Sequence, residues 1–398
     1  MGILRLETSG FRSLKDILWE PGALNVVIGP NATGKSNLLR ILELVSVSAR
    51  GGLAKYIQKW GGMEPLVWDG CTDHIRFKVK MSPVDEGRDP ERESLTYEME
   101  MRRLGMGGSF IIGHELLGNF YEVEIGRRHE PFKLLERRQL KGVVFDEKEK
   151  GLTAPEESLA QDETLLSLAT GAFLQNRHIP SFRERLASWA IYHDLHVNAD
   201  APIRQPVVAR AEKRVDADGQ NLISVLHTLY TGDREFKENI NAAMKAAFSE
   251  DYDELIFPPA ADQRIQLRVR WKSLHREQSA SDLSDGTLRF LLLLAVLASP
   301  APAPVIAIDE PETGLHPSML PIVAEYAVDA SRRAQIIFTT HSPQFLDAFH
   351  ETRPSTMVTE WREGQTILKK LAGETLEYWL KEYSLGALFS SGELEDME

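Results

Sequence analysis

The sequence predicts an α/β fold in which one mixed sheet is built from both ends of the chain. An antiparallel β region and a helical lobe are predicted to lie between those ends. Strand-then-helix segments occur at 23–49 and again at 288–349, segments of alternating polarity occupy much of 74–145, and helical spacing dominates 156–248. Two strand-and-helix segments separated by a long insert favour a single sheet that takes strands from both.

The first third is predicted to begin with strands at 3–7 and 23–28, followed by a helix that ends near residue 49 at Gly51-Gly52. Period-2 alternation then predicts the strands of the antiparallel region, at 74–81, 95–103, 120–125, 132–137 and 142–145. The stretch 82–93 is rich in proline and charge, and it is predicted to be a loop between two of these strands.

The middle and final thirds carry helical and then mixed patterns. The predicted helices of the middle are 156–169, 182–192, 221–230 and a continuation to about 248, with a strand at 264–271. The final third predicts helices at 288–298, 319–332 and 343–349, and strands at 305–308 and 335–339. We therefore expect three parts, at 1–150, 151–275 and 276–398, of which the second is a helical lobe inserted into the fold.

The most informative motif is the octapeptide 29–36, Gly-Pro-Asn-Ala-Thr-Gly-Lys-Ser, which lies between an apolar strand and a helix. This is the context in which G-x-x-x-x-G-K-[ST] forms a loop that wraps phosphate with backbone N–H groups. Lys35 is predicted to reach the β- and γ-phosphates, and Ser36 to ligate Mg²⁺. The residues predicted to bind the nucleoside triphosphate are Asn31, Ala32, Thr33, Gly34, Lys35, Ser36 and Asn37.

Two later strand ends carry polar groups suited to the same chemistry. Val305-Ile-Ala-Ile is followed by Asp309 and Glu310, and a later strand by His341, 32 residues after Asp309 (341 − 309). Asp309 is predicted to hold Mg²⁺ beside Ser36, and Glu310 to polarise the attacking water. His341 is predicted to donate to the γ-phosphate. The catalytic residues predicted from these patterns are Lys35, Glu310 and His341.

A second phosphate-binding helix start is predicted at Ser281-Asp-Leu-Ser-Asp-Gly-Thr287, directly before the apolar helix. Ser284, Gly286 and the first helical N–H groups form an anion site of this kind. Since the chain already supplies one phosphate-binding loop, this second one is best explained by the nucleotide of a partner chain.

Together these motifs resemble the ABC class of ATPases. Residues 29–36 resemble its Walker A motif and 305–310 its Walker B motif, 283–287 stands where the class carries its LSGGQ signature, 313–316 matches the D-loop and His341 the switch histidine. The resemblance implies an ABC-type P-loop ATPase head with ATP and Mg²⁺ as ligands. It also implies a head-to-tail dimer with two ATPs between the P-loop of one copy and the signature of the other.

Within that class the chain is similar to the SMC/RecF/OLD branch, and to its stand-alone AAA-type predicted ATPases. The residues that carry this likeness are Ile3–Glu7 with Gly10–Leu14, Asp309–Pro317, Thr339–Phe345 and Trp379–Gly386. In two respects the chain departs from the class. Asp285 replaces the first glycine of the signature, which brings a carboxylate near a phosphate of the partner chain, and the Q-loop glutamine is left open between Gln161 and Gln175.

The leading functional hypothesis is an ATPase of low turnover that dimerises on ATP and regulates an effector protein. Relatives of this type are the ATPase half of two-gene bacterial anti-phage systems with a TOPRIM-like nuclease partner. Since 57 residues follow His341 (398 − 341), we expect such a nuclease to be encoded separately. The alternative is a DNA-binding repair ATPase like RecF. A transporter subunit is disfavoured because 249 positions separate Lys35 from Ser284 (284 − 35).

Composition sets the remaining expectations. The chain has 398 residues and a net charge of −13, which argues against a protein that coats DNA but leaves a local basic groove possible. The clusters at 127–128, 137–138 and 332–333 are predicted to be solvated faces. With one cysteine, no secretory pattern and an apolar block of only nine residues at 290–298, we expect a cytoplasmic protein without a membrane partner.

Overall fold

The computed structural model describes residues 2–68, 71–83, 87–105, 108–154, 159–168, 176–349, 352–371 and 384–392. The strands in these residues are β1 Ile3–Phe11, β2 Leu14–Trp19, β3 Leu24–Ile28, β4 His74–Met81, β5 Leu95–Arg103, β6 Phe110–Asn119, β7 Phe132–Arg138, β8 Lys141–Asp146, β9 Gly151–Thr153, β10 Ala190–Tyr192, β11 Val207–Val208, β12 Tyr252–Ile256, β13 Arg264–Ile265, β14 Arg268–Trp271, β15 Gln278–Ser279, β16 Val305–Asp309, β17 Gln335–Thr339, β18 Ser355–Arg362 and β19 Gln365–Lys370. The helices are α1 Lys35–Arg50, α2 Leu53–Lys59, α3 Pro90–Glu93, α4 Tyr121–Glu124, α5 Leu165–Leu168, α6 His178–Ala187, α7 Leu222–Gly232, α8 Arg234–Phe248, α9 Asp285–Leu297, α10 Leu320–Ala330, α11 Pro343–Asp347 and α12 Leu385–Ser391.

The chain forms two compact units. Unit one consists of Met1–Gly22, Ile28–Trp189 and Met357–Lys370. Unit two consists of Ala23–Val27, Ala190–Thr356 and Leu371–Glu398. The chain passes from unit two into unit one at the end of β3, directly before the predicted phosphate-binding loop. The three-part division expected from the sequence stays a prediction.

Unit one is built on an eight-stranded antiparallel sheet with the strand order β2-β1-β4-β5-β6-β7-β8-β9. In β4 the side chains of Ile75, Phe77, Val79 and Met81 are buried, and those between them are more exposed. Because successive residues of a strand point to opposite faces, this alternation gives the sheet one apolar face. The antiparallel β region predicted from the sequence is confirmed.

Helix α1 supplies the second layer of unit one. It begins at Lys35 after Gly34, ends at Arg50, and buries a broad apolar face. Burial on this scale, and not intrinsic helix propensity, provides most of a helix's stability in a folded protein. Helix α6 packs against α1, and its Phe182 ring lies 6.4 Å from the ring of Tyr97 in β5. These contacts tie α1 and α6 to the sheet of unit one.

Unit two contains parallel strands in the order β10-β16-β17-β3. Strands β17 and β3 are fully buried, and β16 is buried up to Asp309, as expected of a parallel sheet covered on both faces. Asp309 lies opposite Thr339 in the register of β16 and β17. The carboxyl ends of parallel strands share one edge of the sheet, so the predicted Asp309–Glu310 and His341 sites lie at neighbouring strand ends.

Three predicted elements differ from the structure. Residues 120–125 form the helical turn α4 instead of a strand, because Asn119 Oδ1 accepts a hydrogen bond from the N–H of Tyr121 and ends β6. The predicted helix 182–192 ends at Ala187, since 190–192 pair with β16 as β10. Of the predicted helix 156–169, residues 159–164 are irregular and only 165–168 are helical.

Other elements were not predicted, namely β2, β6, β18 and β19 among the longer strands. Gln175 and residues 379–383 of the final matching segment lie outside the described residues. Among the helices that the structure describes, none has the length and apolar character needed to cross a membrane.

Candidate functional site

The loop 29–36 in unit one has the backbone of a phosphate-binding loop. Three of its residues have positive φ, namely Gly29 (+144°), Ala32 (+67°) and Gly34 (+101°). Gly34 stands at the N-cap of α1, so the first N–H groups of a 16-residue helix follow it directly. Such N–H groups carry the positive end of the helix dipole and lack partners within the helix. The loop therefore has both the shape and the electrostatics to receive phosphate.

Two glycines of this loop are required by close approach as well as by φ. A Cβ on Gly34 would lie 2.6 Å from Ser13 Oγ and closer still to Thr366 Oγ1. A Cβ on Gly29 would collide with the carbonyl oxygen of Thr359. The β18–β19 hairpin, which contains both threonines, thus packs directly on the loop within unit one, and it was not predicted from the sequence.

A network of hydroxyl groups fixes the loop. Thr33 Oγ1 donates to the carbonyl of Pro30 at 2.8 Å and lies 2.6 Å from Thr359 Oγ1. Thr366 Oγ1 lies 2.8 Å from the carbonyl oxygen of Thr33 and 2.7 Å from Ser13 Oγ. Since Thr33, Thr359 and Thr366 are buried, these hydrogen bonds form away from water, where leaving one unmade is costly.

Lys35 is folded back onto the loop. Its Nζ donates to the carbonyl oxygens of Gly29 at 2.7 Å and Pro30 at 2.9 Å, and the residue is 6% exposed. A buried ammonium bonded to neutral carbonyls gains more from anionic phosphate oxygens, because opposite charges attract strongly where water is largely excluded. Asn31 and Ala32 are exposed, Ser36 and Asn37 are half-buried, and Asn37 Nδ2 donates to Ser13 Oγ at 2.8 Å. The P-loop residues predicted to bind phosphate therefore all lie in unit one.

In unit two, Asp309 and Glu310 lie at the end of β16. Asp309 accepts a hydrogen bond from Thr339 Oγ1, and its Oδ2 lies 3.8 Å from His193 Nδ1. Glu310 has a φ of +46°, a left-handed conformation that its N–H stabilises by donating to the carbonyl of Thr339 at 3.0 Å. A strained backbone at this position is the kind of feature that concentrates at functional sites.

Glu310 and His341 are in contact. His341 Nδ1 lies 3.2 Å from Glu310 Oε1, and Thr313 Oγ1 donates to Glu310 Oε2 at 3.4 Å. Both Glu310 and His341 are partly exposed, at 38% and 47% of their side chains. The carboxylate that was predicted to polarise water is thus paired with the histidine that was predicted to contact phosphate.

Glu312 belongs to the same cluster and was not predicted. Its Oε1 accepts from Thr340 Oγ1 and, at 3.3 Å, from the N–H of His341. Burial raises the pKa of the Glu312 carboxyl, although these donated hydrogen bonds act to lower it. Its place in the run Asp-Glu-Pro-Glu was the available signal, since an acidic residue two positions after Glu310 stays at the same strand end.

The predicted signature segment starts α9 in unit two. Ser284 is the N-cap, and its Oγ accepts from the N–H of Thr287 at 3.1 Å. A Cβ on Gly286 would lie 2.6 Å from the carbonyl oxygen of Gly314, in the segment that matches the D-loop. Gly286 is therefore required for close packing of α9 on that segment. Asp285 bonds to Arg204, a buried residue that was not predicted.

Two predictions stay open after this placement. Gln161 is exposed and its carbonyl accepts from the N–H of Ile112 at 3.0 Å, so nothing marks it as the Q-loop glutamine. The predicted roles of Lys35, Ser36, Asp309, Glu310 and His341 toward a nucleotide also stay predictions. In the part of the chain that the structure describes, no cluster of three or more metal-binding side chains occurs.

Comparison with known proteins identifies the family of this chain and a related protein. Residues 24–347 match the family described as "AAA domain, putative AbiEii toxin, Type IV TA system". A curated relative is the DNA replication and repair protein RecF of Moorella thermoacetica, 29% identical over 128 residues. That match covers 32% of this chain and 31% of the relative, so the chain spans about a third of that protein's length in the alignment.

Solved structures share the fold at low sequence identity. An SmcHead bound to the C-winged helix domain of ScpA matches 94% of this chain and 99% of its own, with a TM-score of 0.57 and 13% identity. An Smc head domain with an extended coiled coil, bound to the C-terminal domain of ScpA derived from Pyrococcus furiosus, matches 96% and 99%, with a TM-score of 0.53 and 12% identity. At this identity the likeness concerns the fold.

The fold and the motifs define an ABC-type P-loop ATPase head of the SMC/RecF type. The chain belongs to the AAA-domain family with the AbiEii-type description given above, whose model covers residues 24–347. Both the predicted fold class and the predicted SMC/RecF branch are confirmed.

Proposed function

We propose that this chain binds ATP with Mg²⁺, dimerises with a second copy when ATP is bound, and hydrolyses the nucleotide slowly. The P-loop carries the proposal, because its backbone, its two spatially required glycines and the folded-back Lys35 form a site suited to phosphate. Slow hydrolysis is proposed because Asp285 stands at the start of α9 in place of the signature glycine.

Each catalytic group has a proposed role. Lys35 exchanges its carbonyl partners for the β- and γ-phosphates. Ser36 and Asp309 offer a hydroxyl and a carboxylate oxygen, the ligand type that Mg²⁺ prefers, and the ion when bound neutralises phosphate charge. Glu310 accepts a proton from the attacking water, and His341 donates to the γ-phosphate. The contact between Glu310 and His341 supports this pairing of roles.

The proposed biological role is the regulation of a separately encoded effector, with a TOPRIM-like nuclease in bacterial anti-phage defence as the specific expectation. The net charge of −13 favours a protein partner over a nucleic-acid surface. The cytoplasmic location stays a prediction beside it.

The alternative, a RecF-like ATPase that binds DNA, is supported by the match to RecF. A concavity of about 1500 Å³ on the sheet of unit one contains the basic groups that such binding would use. However, Arg76 and Arg102 both pair with Glu100 there, and Lys78 pairs with Glu98 at 2.9 Å. Since paired cations attract phosphate less, these three pairs weaken the case for DNA binding at this surface.

Glu310→Gln tests the proposed function. Loss of the general base is expected to lower ATP turnover by about 10²–10⁴-fold and to trap an ATP-bound dimer. Sedimentation velocity with ATP, with ADP and without nucleotide measures the dimer, and Lys35→Ala in the same background is expected to abolish it. Lys59→Ala, at the exposed end of α2, is the matched control. Unchanged turnover in Glu310→Gln would contradict the assignment of the base.

The DNA alternative has a separate readout. A RecF-like clamp requires ATP-dependent duplex binding that weakens steeply as salt rises, because phosphate contacts release counterions. Fluorescence anisotropy at low and moderate salt measures this. Absence of binding at low salt with ATP present rejects the clamp, and a co-purifying nuclease supports the effector hypothesis.

A further inference from the structure

Arg204 lies outside every motif of the sequence, yet it contacts the signature segment extensively. It ends a short 3₁₀ turn, Pro202–Arg204, and its side chain is only 4% exposed. On one side, Arg204 Nε donates to the carbonyl oxygens of Val197 at 2.8 Å and Asn198 at 3.0 Å. This side of the guanidinium fixes it to its own loop.

On its other side the guanidinium donates hydrogen bonds to the signature segment. Arg204 Nη1 donates to the carbonyl oxygens of Ala280 at 3.1 Å, Ser281 at 3.4 Å and Leu283 at 2.7 Å. Its Nη2 donates to Asp285 Oδ1. One side chain therefore binds three carbonyls and one carboxylate of the segment 280–285, which lies 76 to 81 positions further along the chain.

Arginine suits this task because its five N–H donors have a fixed planar geometry and its charge persists at any ordinary pH. Here its hydrogen bonds fix the conformation of the polar backbone directly before α9. The carbonyls of Ala280 and Leu283, which bond to it, belong to buried residues. Removing the guanidinium leaves these acceptors unsatisfied, and each such loss is costly in a buried place.

The charge of Asp285 makes its contact with Arg204 electrostatic as well as structural. Its carboxylate occupies the first turn of α9, and the side chain remains 62% exposed. A phosphate at the N-terminus of α9 would be repelled by this negative charge in the first turn. The guanidinium of Arg204, bonded to the same carboxylate, offsets that repulsion.

We propose that Arg204 is the positioning residue of the signature segment. It holds residues 280–285 in shape and neutralises Asp285, so that Ser284 and the first N–H groups of α9 accept the triphosphate bound by a second copy of the chain. The inference rests on the proposed ATP-dependent dimer. It explains how a carboxylate is tolerated where ABC-class proteins carry glycine.

A merely structural role and a neutralising role make different predictions. If Arg204 only supports the loop, its loss is equally harmful whether or not residue 285 is charged. If it also offsets Asp285, part of the harm disappears when that carboxylate is removed. The two substitutions are then coupled, which a double-mutant cycle detects.

The experiment uses the Glu310→Gln chain as reference, with Arg204→Met, Asp285→Asn and the double variant added to it. The readout is the ATP concentration that half-saturates dimer formation. Arg204→Met is expected to raise it by about tenfold or more, because the Asp285 carboxylate then repels the triphosphate through partly screened surroundings. In the Asp285→Asn background the same substitution is expected to raise it by about threefold or less. Equal rises in both backgrounds overturn the neutralising role.

A control and a second readout complete the test. Arg214→Met removes an exposed arginine that also donates to backbone carbonyls, those of Ala301 and Pro302, and it is expected to leave the dimer unchanged. Arg204→Lys keeps the charge without the planar fork, and should recover part of the loss. If Arg204→Met does not fold, this variant carries the comparison.

Amide hydrogen exchange of 280–288 without nucleotide measures the loop directly. Arg204→Met is expected to accelerate it by about tenfold, because hydrogen bonds that fix the loop are lost. Unchanged exchange overturns the positioning role. If the Glu310→Gln reference itself forms no dimer with ATP, the proposed function and the ATP contact both fail, and the exchange still decides whether Arg204 holds the loop.

Discussion

The two segments that we propose to bind phosphate are held in contrasting ways. The P-loop in unit one is fixed by neutral hydroxyl groups of Ser13, Thr33, Thr359 and Thr366, which form a network of short hydrogen bonds. In the signature segment of unit two, one buried charge, the guanidinium of Arg204, bonds to three carbonyls and a carboxylate. The first arrangement spreads its hydrogen bonds over several neutral side chains, and the second concentrates four of them on one cation.

The contrast follows from what each segment contains. The P-loop already carries its cation, Lys35, so a further cation buried beside it would be repelled by the ammonium. The signature segment carries a carboxylate, Asp285, and a cation beside it removes a repulsion. A neutral network is expected to tolerate single losses of about 1 kcal/mol, whereas an unpaired buried charge is far more damaging.

The largest effect on stability is expected at Gly34, where the hydroxyl network of the P-loop leaves no space for a side chain. Gly34→Ala places a Cβ 2.6 Å from Ser13 Oγ at a φ of +101°. Gly52→Ala is the matched control, since Gly52 has a φ of +94° and nothing within 4 Å of the added atom. The backbone strain of about 1–2 kcal/mol is common to both, and the collision adds about 1–3 kcal/mol in Gly34→Ala. Urea unfolding measures the difference; equal losses would mean that the network yields easily.

The signature side offers a counterpart. Gly286→Ala brings a Cβ to 2.6 Å from the carbonyl oxygen of Gly314, and is expected to destabilise by about 1–3 kcal/mol. Gly232→Ala at the end of α7 meets nothing within 4 Å, and is expected to stabilise by up to about 1 kcal/mol. Thermal unfolding should thus show shifts of opposite sign. A stabilising Gly286→Ala would disprove the close packing of α9 on the 313–316 segment.

A smaller effect is expected from removing one hydroxyl of the P-loop network. Thr359→Val loses the contact with Thr33 Oγ1 and the hydrogen bond to the carbonyl of Ile28 at 3.0 Å, which should cost about 1 kcal/mol. Thr96→Val is the control, because the Thr96 hydroxyl is buried without a hydrogen-bond partner among the described residues. Differential scanning calorimetry should find Thr96→Val neutral or stabilising. If Thr96→Val lost as much stability as Thr359→Val, the loss would reflect the buried position of the hydroxyl and not its hydrogen-bond network.

The smallest effect concerns pH and the buried Glu312 of unit two. Burial raises the pKa of this carboxyl in the folded state above the value of about 4.3 in the unfolded chain. The folded state therefore binds more protons, and stability falls as pH rises from the unfolded pKa through the folded one. Glu312→Gln lacks this titration, so its free energy of unfolding should gain on the wild type between pH 4 and 7. If the free energy of unfolding of Glu312→Gln minus that of the wild type falls as the pH rises, the raised pKa is contradicted.

The sequence predicted those features whose residues lie close together along the chain. Residues 29–37 form one continuous loop and helix start, so local spacing was sufficient to predict them. Strand β4 was predicted to the residue, because alternation over eight positions is a local signal. The motifs at 309–310 and 341 follow their strands directly and were placed for the same reason.

Contacts made across many positions were not predictable in this way. Arg204 donates to carbonyls that lie 76 to 79 residues further along the chain, and no local sequence pattern predicts that they converge on it. Arg137 was expected on a solvated face but is 1% exposed, because carbonyls of Ala160 and Glu163 accept its N–H groups. For a long cationic side chain, the fold decides whether it is solvated or buried.

The central claim is that the P-loop of one copy and the signature of another complete one ATP site, and mixing two inactive variants tests it most directly. Glu310→Gln disables the base, and Ser284→Arg blocks the signature helix of the other chain. In a mixed dimer one of the two sites combines intact parts from both chains. Random pairing at equal concentrations would make half of the dimers mixed, so we predict recovery of ATP turnover to at most about a quarter of the wild-type rate. Turnover that stays at the level of the separate variants at every mixing ratio would contradict a shared site.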